Sequence, residues 1–240
     1  MAGWVIVVVV VGSAAAGLRA ARWLERGGWR RPGEQAALPR LPSVRVLLAG
    51  LMGAAGALVG WGLLRPGWWP AGLAGLVFVL AAAPGAVVDL AVHRVPEPLV
   101  LTMQAGVVAL LLTGALVTGD WGSLGRAVAA GVTAWLAVFG LALVTGLGFA
   151  DVQLFGTAAL CLGWVGWLPA VWVVGAGFVV GGLCAAVMRA AGRSGPVPMA
   201  PSIGLGFLLT VATLPAAIST PDLAGGLAAL LASGPAAGRG

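Results

Sequence analysis

The stretch Val152–Ala191 reads VQLFGTAALCLGWVGWLPAVWVVGAGFVVGGLCAAVMRAA, and it decides the fold. Arg189 is its only charged residue. One straight helix over this stretch would be about 60 Å long, but the hydrocarbon core of a bilayer is about 30 Å thick. The stretch therefore predicts two membrane helices in a hairpin, and Leu168–Pro169 is the predicted turn.

The composition of the whole chain agrees with a membrane protein. Of 240 residues, 60% are hydrophobic and 8% are charged, and the mean hydropathy is +1.06. Soluble domains carry about 25% charged residues, so a soluble enzyme is excluded. Disordered chains are poor in apolar residues, so disorder is excluded as well. The 40 glycines follow no Gly-X-Y period and instead favour close packing of membrane helices.

A membrane helix needs about 20 mostly apolar residues, and the chain offers eight such runs. They lie near 1–18, 46–64, 70–88, 98–118, 127–147, 152–168, 170–188 and 202–219. The predicted fold class is therefore an all-α, polytopic integral membrane protein with about eight transmembrane helices. We divide the chain into residues 1–45, a first helix and an Arg-rich loop, residues 46–219, the transmembrane domain, and residues 220–240, an Ala/Gly-rich tail.

The arginines predict the topology, because membrane proteins keep positive charge on the cytoplasmic side. All 13 basic residues are arginine, and seven of them lie in Arg19–Arg45. Nothing basic precedes the first apolar run, which argues against a signal peptide. With Arg19–Arg45 in the cytoplasm, one threading places ten arginines there, together with Asp89 and Asp151. No Arg-rich run carries interleaved aromatic residues, so nucleic acid is not predicted as a partner.

Two aspartates stand out among the seven acidic residues, because ionisable groups near a membrane are functional candidates. Asp89 closes an apolar run, where its carboxylate would face the negative end of its own helix. Pairing with Arg94 is the structural alternative. Asp151 lies between two apolar runs and follows helix-breaking glycines, so a helix cap is its structural alternative. A carboxylate pair that shares one proton can activate water and polarise a carbonyl, as in aspartic proteases.

Other groups give weaker signals. Cys161 and Cys184 lie in apolar runs without metal-ligand spacing, so they are interpreted as buried hydrophobes, although a disulfide between neighbouring helices stays open. His93 is the only histidine and is either solvated at the membrane surface or able to influence Asp89. Asp120 is interpreted as part of an outside turn, and Asp222 as a helix N-cap. No cofactor or metal is predicted.

Three segments resemble the type IV prepilin peptidases, a bacterial family of GxGD-type membrane aspartyl proteases. The first family motif is Asp, six residues, then Pro-Asn or Pro-Asp, and Asp89 is followed at that spacing by Pro96-Glu97. The second is Gly-x-Gly-x-Gly-Asp-x-Lys-Leu, and 146–154 reads GLGFADVQL. A later Pro-x-x-Pro segment with an early helix glycine is similar to PMAPSIGLG at 198–206.

The resemblance implies an activity, a partner and a location. We expect an aspartic endopeptidase of the bacterial plasma membrane that removes the short basic leader of prepilin-like precursors at the cytoplasmic face. Asp89 and Asp151 would be catalytic, and Arg19–Arg45 lacks the Cys-rich segment linked to zinc and methyl transfer in many family members. Substrate and loop contacts would come from Gly146, Gly148, Ala150, Gln153, Pro96 and Glu97.

The chain departs from the family pattern at three positions. Ala150 replaces a glycine, which adds a Cβ and restricts the backbone. Gln153 replaces the usual lysine, and Glu97 replaces Asn or Asp. Two alternatives therefore stay open: a non-catalytic relative that binds a pilin-like partner, and a small transporter. Transporters place ionisable groups near the bilayer midplane, whereas these aspartates are predicted at helix ends.

Overall fold

The computed structural model describes residues 2–27, 29–30, 48, 52–53, 55–56, 60, 65, 67–193, 195 and 197–218. Within these ranges the chain is all-helical, with seven helices and no strand. The helices are α1 (Ala2–Glu25), α2 (Trp69–Val92), α3 (Glu97–Thr118), α4 (Trp121–Thr145), α5 (Phe149–Gly163), α6 (Trp167–Ala190) and α7 (Ala200–Ile218).

Five of the helices are long and apolar enough to cross a membrane, namely α1 to α4 and α6. Their outward faces carry large apolar side chains, such as Val144 at 80% exposed and Val117 at 70% exposed. Contact with lipid rather than water accounts for this exposure, because soluble proteins rarely present such broad apolar surface. Helices α5 and α7 are apolar but shorter.

The observed helices correct two of the predicted boundaries. Helix α1 ends at Glu25 rather than near residue 18, so the first part of the predicted Arg19–Arg45 loop is helical. Helix α4 begins at Trp121 rather than near residue 127, because the Asp120 carboxylate accepts a hydrogen bond from the Ser123 N–H at 2.9 Å and caps the helix. Asp120 is therefore an N-cap as well as part of a turn.

The predicted hairpin within Val152–Ala191 is present, but its turn lies earlier than predicted. Helix α5 ends at Gly163 and α6 begins at Trp167. Pro169 falls in the first turn of α6, where a missing backbone N–H breaks no helical hydrogen bond. Of the predicted helix at 46–64, the described positions are all helical. Glu34, Asp222 and the tail 220–240 lie outside the described residues.

Helix α5 is the centre of the bundle and contacts α2, α3, α4, α6 and α7. Most of its 15 residues are buried. Glycines allow the close approach of α4: a Cβ on Gly131 would lie 2.9 Å from the Cβ of Leu160, and one on Gly163 would lie 2.8 Å from the Cβ of Ala130. A short helix is tolerated at this depth because protein rather than lipid surrounds it.

Helices α6 and α7 cross at a second glycine contact. A Cβ on Gly206 would lie 2.8 Å from the Cα of Gly177, so the two backbones touch directly. Such contacts are typical of membrane helices, which associate through small residues rather than through the hydrophobic effect. Phe207, the next residue of α7, packs against Phe78 of α2 with ring centroids 4.7 Å apart and the ring planes tilted by 41°. This contact joins the middle of α7 to the middle of α2.

One end of the bundle is tied together by polar contacts from α4. Arg126 donates from Nε to the Gly163 carbonyl at 3.0 Å and from Nη2 to the Trp164 carbonyl at 2.6 Å, so it caps the C-terminus of α5. The Trp164 indole N–H donates to the Gly67 carbonyl at 3.0 Å. We call this the Arg126 end. Asp89 and Asp151 lie at the opposite end, which we call the aspartate end.

Candidate functional site

Asp89 lies in the last turns of α2 and is only 5% exposed. Its Oδ2 accepts a hydrogen bond from the Ala200 N–H at 3.0 Å, and the Met199 N–H is a second donor. The carboxylate thus meets the N-terminus of α7, where backbone N–H groups lack helical partners and the helix dipole is positive. The negative C-terminal end of α2 disfavours the charge of Asp89, and the positive N-terminal end of α7 favours it.

The surroundings of Asp89 include the two groups that the sequence placed beside it. His93 is exposed, ends α2 in the left-handed conformation at φ 50°, and donates its backbone N–H to the Asp89 carbonyl at 2.8 Å. Its imidazole is close enough to Asp89 for an electrostatic interaction. Arg94 donates from Nη2 to the Trp29 carbonyl at 3.3 Å, which ties this loop to the end of α1.

Asp151 is half-buried in the first turn of α5. Gly148 is the N-cap of this helix, and Asp151 follows it by three residues. The Asp151 carboxylate turns back toward Gly148, since a Cβ built on Gly148 would lie 3.1 Å from its Oδ2. Asp151 is thus an acidic residue in the first turn of α5 rather than its N-cap, and a negative side chain suits the helix dipole there.

The two aspartates come together at the aspartate end. Helices α2 and α5 pack against each other. Two carboxyl groups that share one proton require such neighbouring helices. The carboxyl groups are close enough for the charge of Asp89 to act directly on Asp151. Each carboxyl also lies at a helix N-terminus, that of Asp89 at the start of α7 and that of Asp151 in the first turn of α5. Two positive dipole ends therefore converge on the pair and favour negative charge there.

The glycines before Asp151 form a short exposed connection. Gly146 ends α4 in the left-handed conformation at φ 74°, and its N–H donates to the Ala142 carbonyl at 3.0 Å. Gly148 is extended and exposed. A Cβ built on Gly148 would lie 3.1 Å from Oδ2 of Asp151, so a larger residue would press on the carboxylate. The connection 146–148 leaves backbone accessible beside the pair.

The structure corrects the expectation that Ala150 restricts the backbone. It lies within helix α5, and among the described non-glycine residues only His93 has a positive φ. Because the helical conformation suits alanine, the extra Cβ does not strain the backbone here. The Ala150 side chain packs against the hydrophobic core. That the Cβ of Ala150 hinders the close approach of a ligand stays a prediction.

Gln153 lies on a different side of α5 from the aspartate pair. Two residues along a helix are about 200° apart. The Gln153 side chain faces an apolar groove of about 520 Å³ between α3, α4 and α5, which Gln104, Trp135 and Thr157 also line. The position at which the family motif has lysine therefore faces this groove rather than the aspartate pair.

Pro96 and Glu97 start helix α3. Pro96 is its buried N-cap, and its carbonyl accepts the Leu99 N–H at 3.0 Å. Glu97 is exposed in the first turn, where a negative side chain suits the helix dipole. Both residues therefore have structural roles in beginning α3 after the Asp89 loop.

Sequence reasoning missed the donors and one buried hydroxyl at the start of α7. Ala200 and Met199 act through backbone N–H groups, which no side-chain pattern reveals. Ser202 is 1% exposed, and its hydroxyl has no hydrogen-bond partner within the described part of the chain. No group of three His, Cys, Asp or Glu residues among the described positions could hold a metal ion.

Comparison with known proteins adds no relative. No family model, no curated protein and no solved structure matches the chain. Over the described residues, fold and site together define an all-helical protein with five helices long and apolar enough to cross a membrane, and with two interacting carboxyl groups at one end of its bundle.

Proposed function

We propose that the chain is a membrane aspartic endopeptidase of the prepilin peptidase type. It would cleave the short basic leader of prepilin-like precursors at the cytoplasmic face of the bacterial plasma membrane. The observation that carries this proposal is the meeting of Asp89 and Asp151, which are 62 positions apart in sequence, at one end of the bundle.

The chemistry follows from the pair acting as a unit. Adjacent carboxyl groups share a proton, so one is ionised while the other is neutral. The ionised group takes a proton from a water molecule, and the neutral group donates a hydrogen bond to the scissile carbonyl. The N-termini of α5 and α7 stabilise the single negative charge of this pair. The exposed connection 146–148 offers backbone on which an extended peptide can align.

The membrane arrangement is part of the proposal. Eight transmembrane helices with the aspartate end in the cytoplasm would place Arg189 and Arg193 inside and Asp120 and Arg126 outside. The described helices agree with this threading, because the Arg126 end and the aspartate end are opposite ends of the bundle. The substrate's apolar helix would lie in the bilayer, and its leader would reach the pair from the cytoplasm.

A non-catalytic relative is the second candidate, and one observation favours it. Both carboxylates already have favourable structural positions at helix N-termini, Asp89 as acceptor of the Ala200 N–H and Asp151 in the first turn of α5. Capping alone would explain two buried or half-buried aspartates without any reaction. Such a protein would bind a pilin-like partner and leave it whole.

Reconstitution with a precursor separates the two candidates. The purified chain in liposomes is incubated with a peptide that has a short basic leader, a glycine and an apolar helix, and the products are identified by mass spectrometry. The endopeptidase releases the intact leader by a single cut next to the glycine. Binding of the precursor without release of the leader would contradict the proposal and favour the non-catalytic relative.

A further inference from the structure

A cavity lined by two arginines lies at the aspartate end of the bundle, where α6 ends and the connection to α7 begins. Its volume is about 450 Å³, within the range of small-ligand sites. The described residues that line it are Ala185, Met188, Arg189, Gly192, Arg193, Gly195 and Val197. Two arginines and no acidic residue contribute to this lining.

Backbone geometry holds the two arginines on one wall. Arg189 lies in the last turn of α6. Gly192 then takes the left-handed conformation at φ 72°, and the Arg193 N–H returns to the Met188 carbonyl at 3.0 Å. This pattern is a helix-ending Schellman motif. It satisfies the last carbonyls of α6 and turns Arg193 back beside Arg189.

Neither arginine has a hydrogen-bond or ion-pair partner within the described residues. Two guanidinium groups at one cavity, with no acidic residue in its described lining, leave a concentrated positive charge there. Guanidinium groups match phosphate oxygens through parallel hydrogen bonds, which makes arginine the preferred residue for phosphate recognition. The chemistry of the lining therefore calls for a phosphate-bearing anion.

The position of the cavity indicates where such an anion would come from. Helix α6 has 24 residues and is apolar up to Arg189, so Arg189 and Arg193 stand at the level of the lipid headgroups. Basic pockets between helices on the cytoplasmic side bind acidic headgroups. We propose that this cavity binds a phosphate group, supplied by an acidic phospholipid or by a soluble phosphate.

The bound phosphate would lie next to the backbone that serves Asp89. Val197 lines the cavity, and Met199 and Ala200, which follow it closely, donate their N–H groups to Asp89. The occupant therefore touches the connection that starts α7. Binding itself needs no reaction at the aspartates, so the test below does not depend on the proposed protease activity.

Native mass spectrometry and phosphate titration test this site on the full chain. The probes are phosphatidylglycerol, phosphatidylcholine and inorganic phosphate. We expect the chain to retain phosphatidylglycerol in preference to phosphatidylcholine. Arg189→Gln with Arg193→Gln should weaken this binding about tenfold or more, since one charge-assisted hydrogen bond contributes that much. The double variant Arg189→Lys with Arg193→Lys should recover part of the affinity, because it keeps both charges.

A matched control removes two exposed arginines at the end of α1. Arg19→Gln with Arg26→Gln has the same change in net charge and should bind as the unmodified chain does. Displacement of the lipid by millimolar inorganic phosphate identifies a soluble phosphate as the source, and resistance to displacement identifies the lipid. If the glutamine double variant misfolds, each single substitution should still weaken binding several-fold. Absence of binding for phosphatidylglycerol and inorganic phosphate alike, or equal losses in control and test variants, overturns the proposal.

Discussion

Replacement of Asp89 by alanine or by asparagine separates its capping role from its proposed chemical role. Its Oδ2 accepts the Ala200 N–H at 3.0 Å, and the side chain is buried. Alanine removes this acceptor and leaves N–H groups at the start of α7 without a partner. Loss of a cap costs about 0.5–2 kcal/mol, and an unpaired buried donor costs about 1–3 kcal/mol. Because both figures describe the same hydrogen bonds, we expect a loss of about 2 kcal/mol.

Asparagine keeps an acceptor oxygen at the same place. It loses at most the charge–dipole attraction, worth about 0.3–1 kcal/mol, and Asp151 can still carry the single negative charge of the pair. Asp89→Asn should therefore destabilise the protein by less than about 1 kcal/mol. Unfolding in mixed detergent micelles measures both free energies. Equal destabilisation by the two substitutions would refute the assigned hydrogen bond to Ala200.

Asp120→Ala is the matched control for these measurements. Asp120 also caps a helix, through the Ser123 N–H at 2.9 Å, but it lies at the Arg126 end. Its removal should cost about 1 kcal/mol. Cleavage of the precursor should persist in Asp120→Ala and disappear in both Asp89 variants. Loss of cleavage in the control would show that reduced stability, rather than lost chemistry, explains the Asp89 variants.

Three further changes probe the packing, the glycine loop and the topology. Gly206→Ala should destabilise the bundle by about 1–3 kcal/mol in the unfolding assay, because its Cβ would meet the backbone of α6. The control Gly204→Ala should be neutral or stabilising, because no atom lies within 4 Å of its Cβ. Ala150→Gly should lower the stability of α5 by up to about 1 kcal/mol and keep or raise the cleavage rate; a much lower rate in a folded protein would contradict free access at this position. In a cysteine-free background, Glu97→Cys at the aspartate end should resist an external thiol reagent in intact cells, and Trp121→Cys at the Arg126 end should react. The reverse pattern would contradict the proposed topology.

The hairpin in Val152–Ala191 could be predicted from length alone, since no bilayer accommodates so long an apolar helix. The position of its turn was predicted less accurately. The turn was predicted at Pro169, but proline also suits the first turn of a helix. The structure ends α5 at Gly163, where Arg126 from another helix caps it. That contact is tertiary and leaves no local signal.

Asp89 shows the same limit at the site. Local helix physics correctly marked the carboxylate as out of place at the end of α2. The compensation comes from Ala200, which is 111 residues away in sequence. No periodicity or motif spacing within one helix reveals a partner at that separation. The misplacement of a charge could be read from the sequence, whereas the group that stabilises it could not.

Asp120 and Ala150 show where local signals were underused. An aspartate before Trp121 is a favoured N-cap, yet Asp120 was interpreted as part of an outside turn, and α4 was predicted to begin too late. At Ala150 the comparison with a glycine-containing motif predicted restricted backbone. The residue is helical, and alanine is the best helix former.

The central claim is that Asp89 and Asp151 act on the substrate as one unit, and the most direct measurement is the rate of leader cleavage in a set of asparagine variants. Asp89→Asn, Asp151→Asn and the double variant are compared with the unmodified chain in the same liposomes. Each single substitution should abolish cleavage as completely as the double one. The two groups act as one unit, so loss of either already removes the function of both. A single variant that still cleaves the precursor at the rate of the unmodified chain would contradict the account.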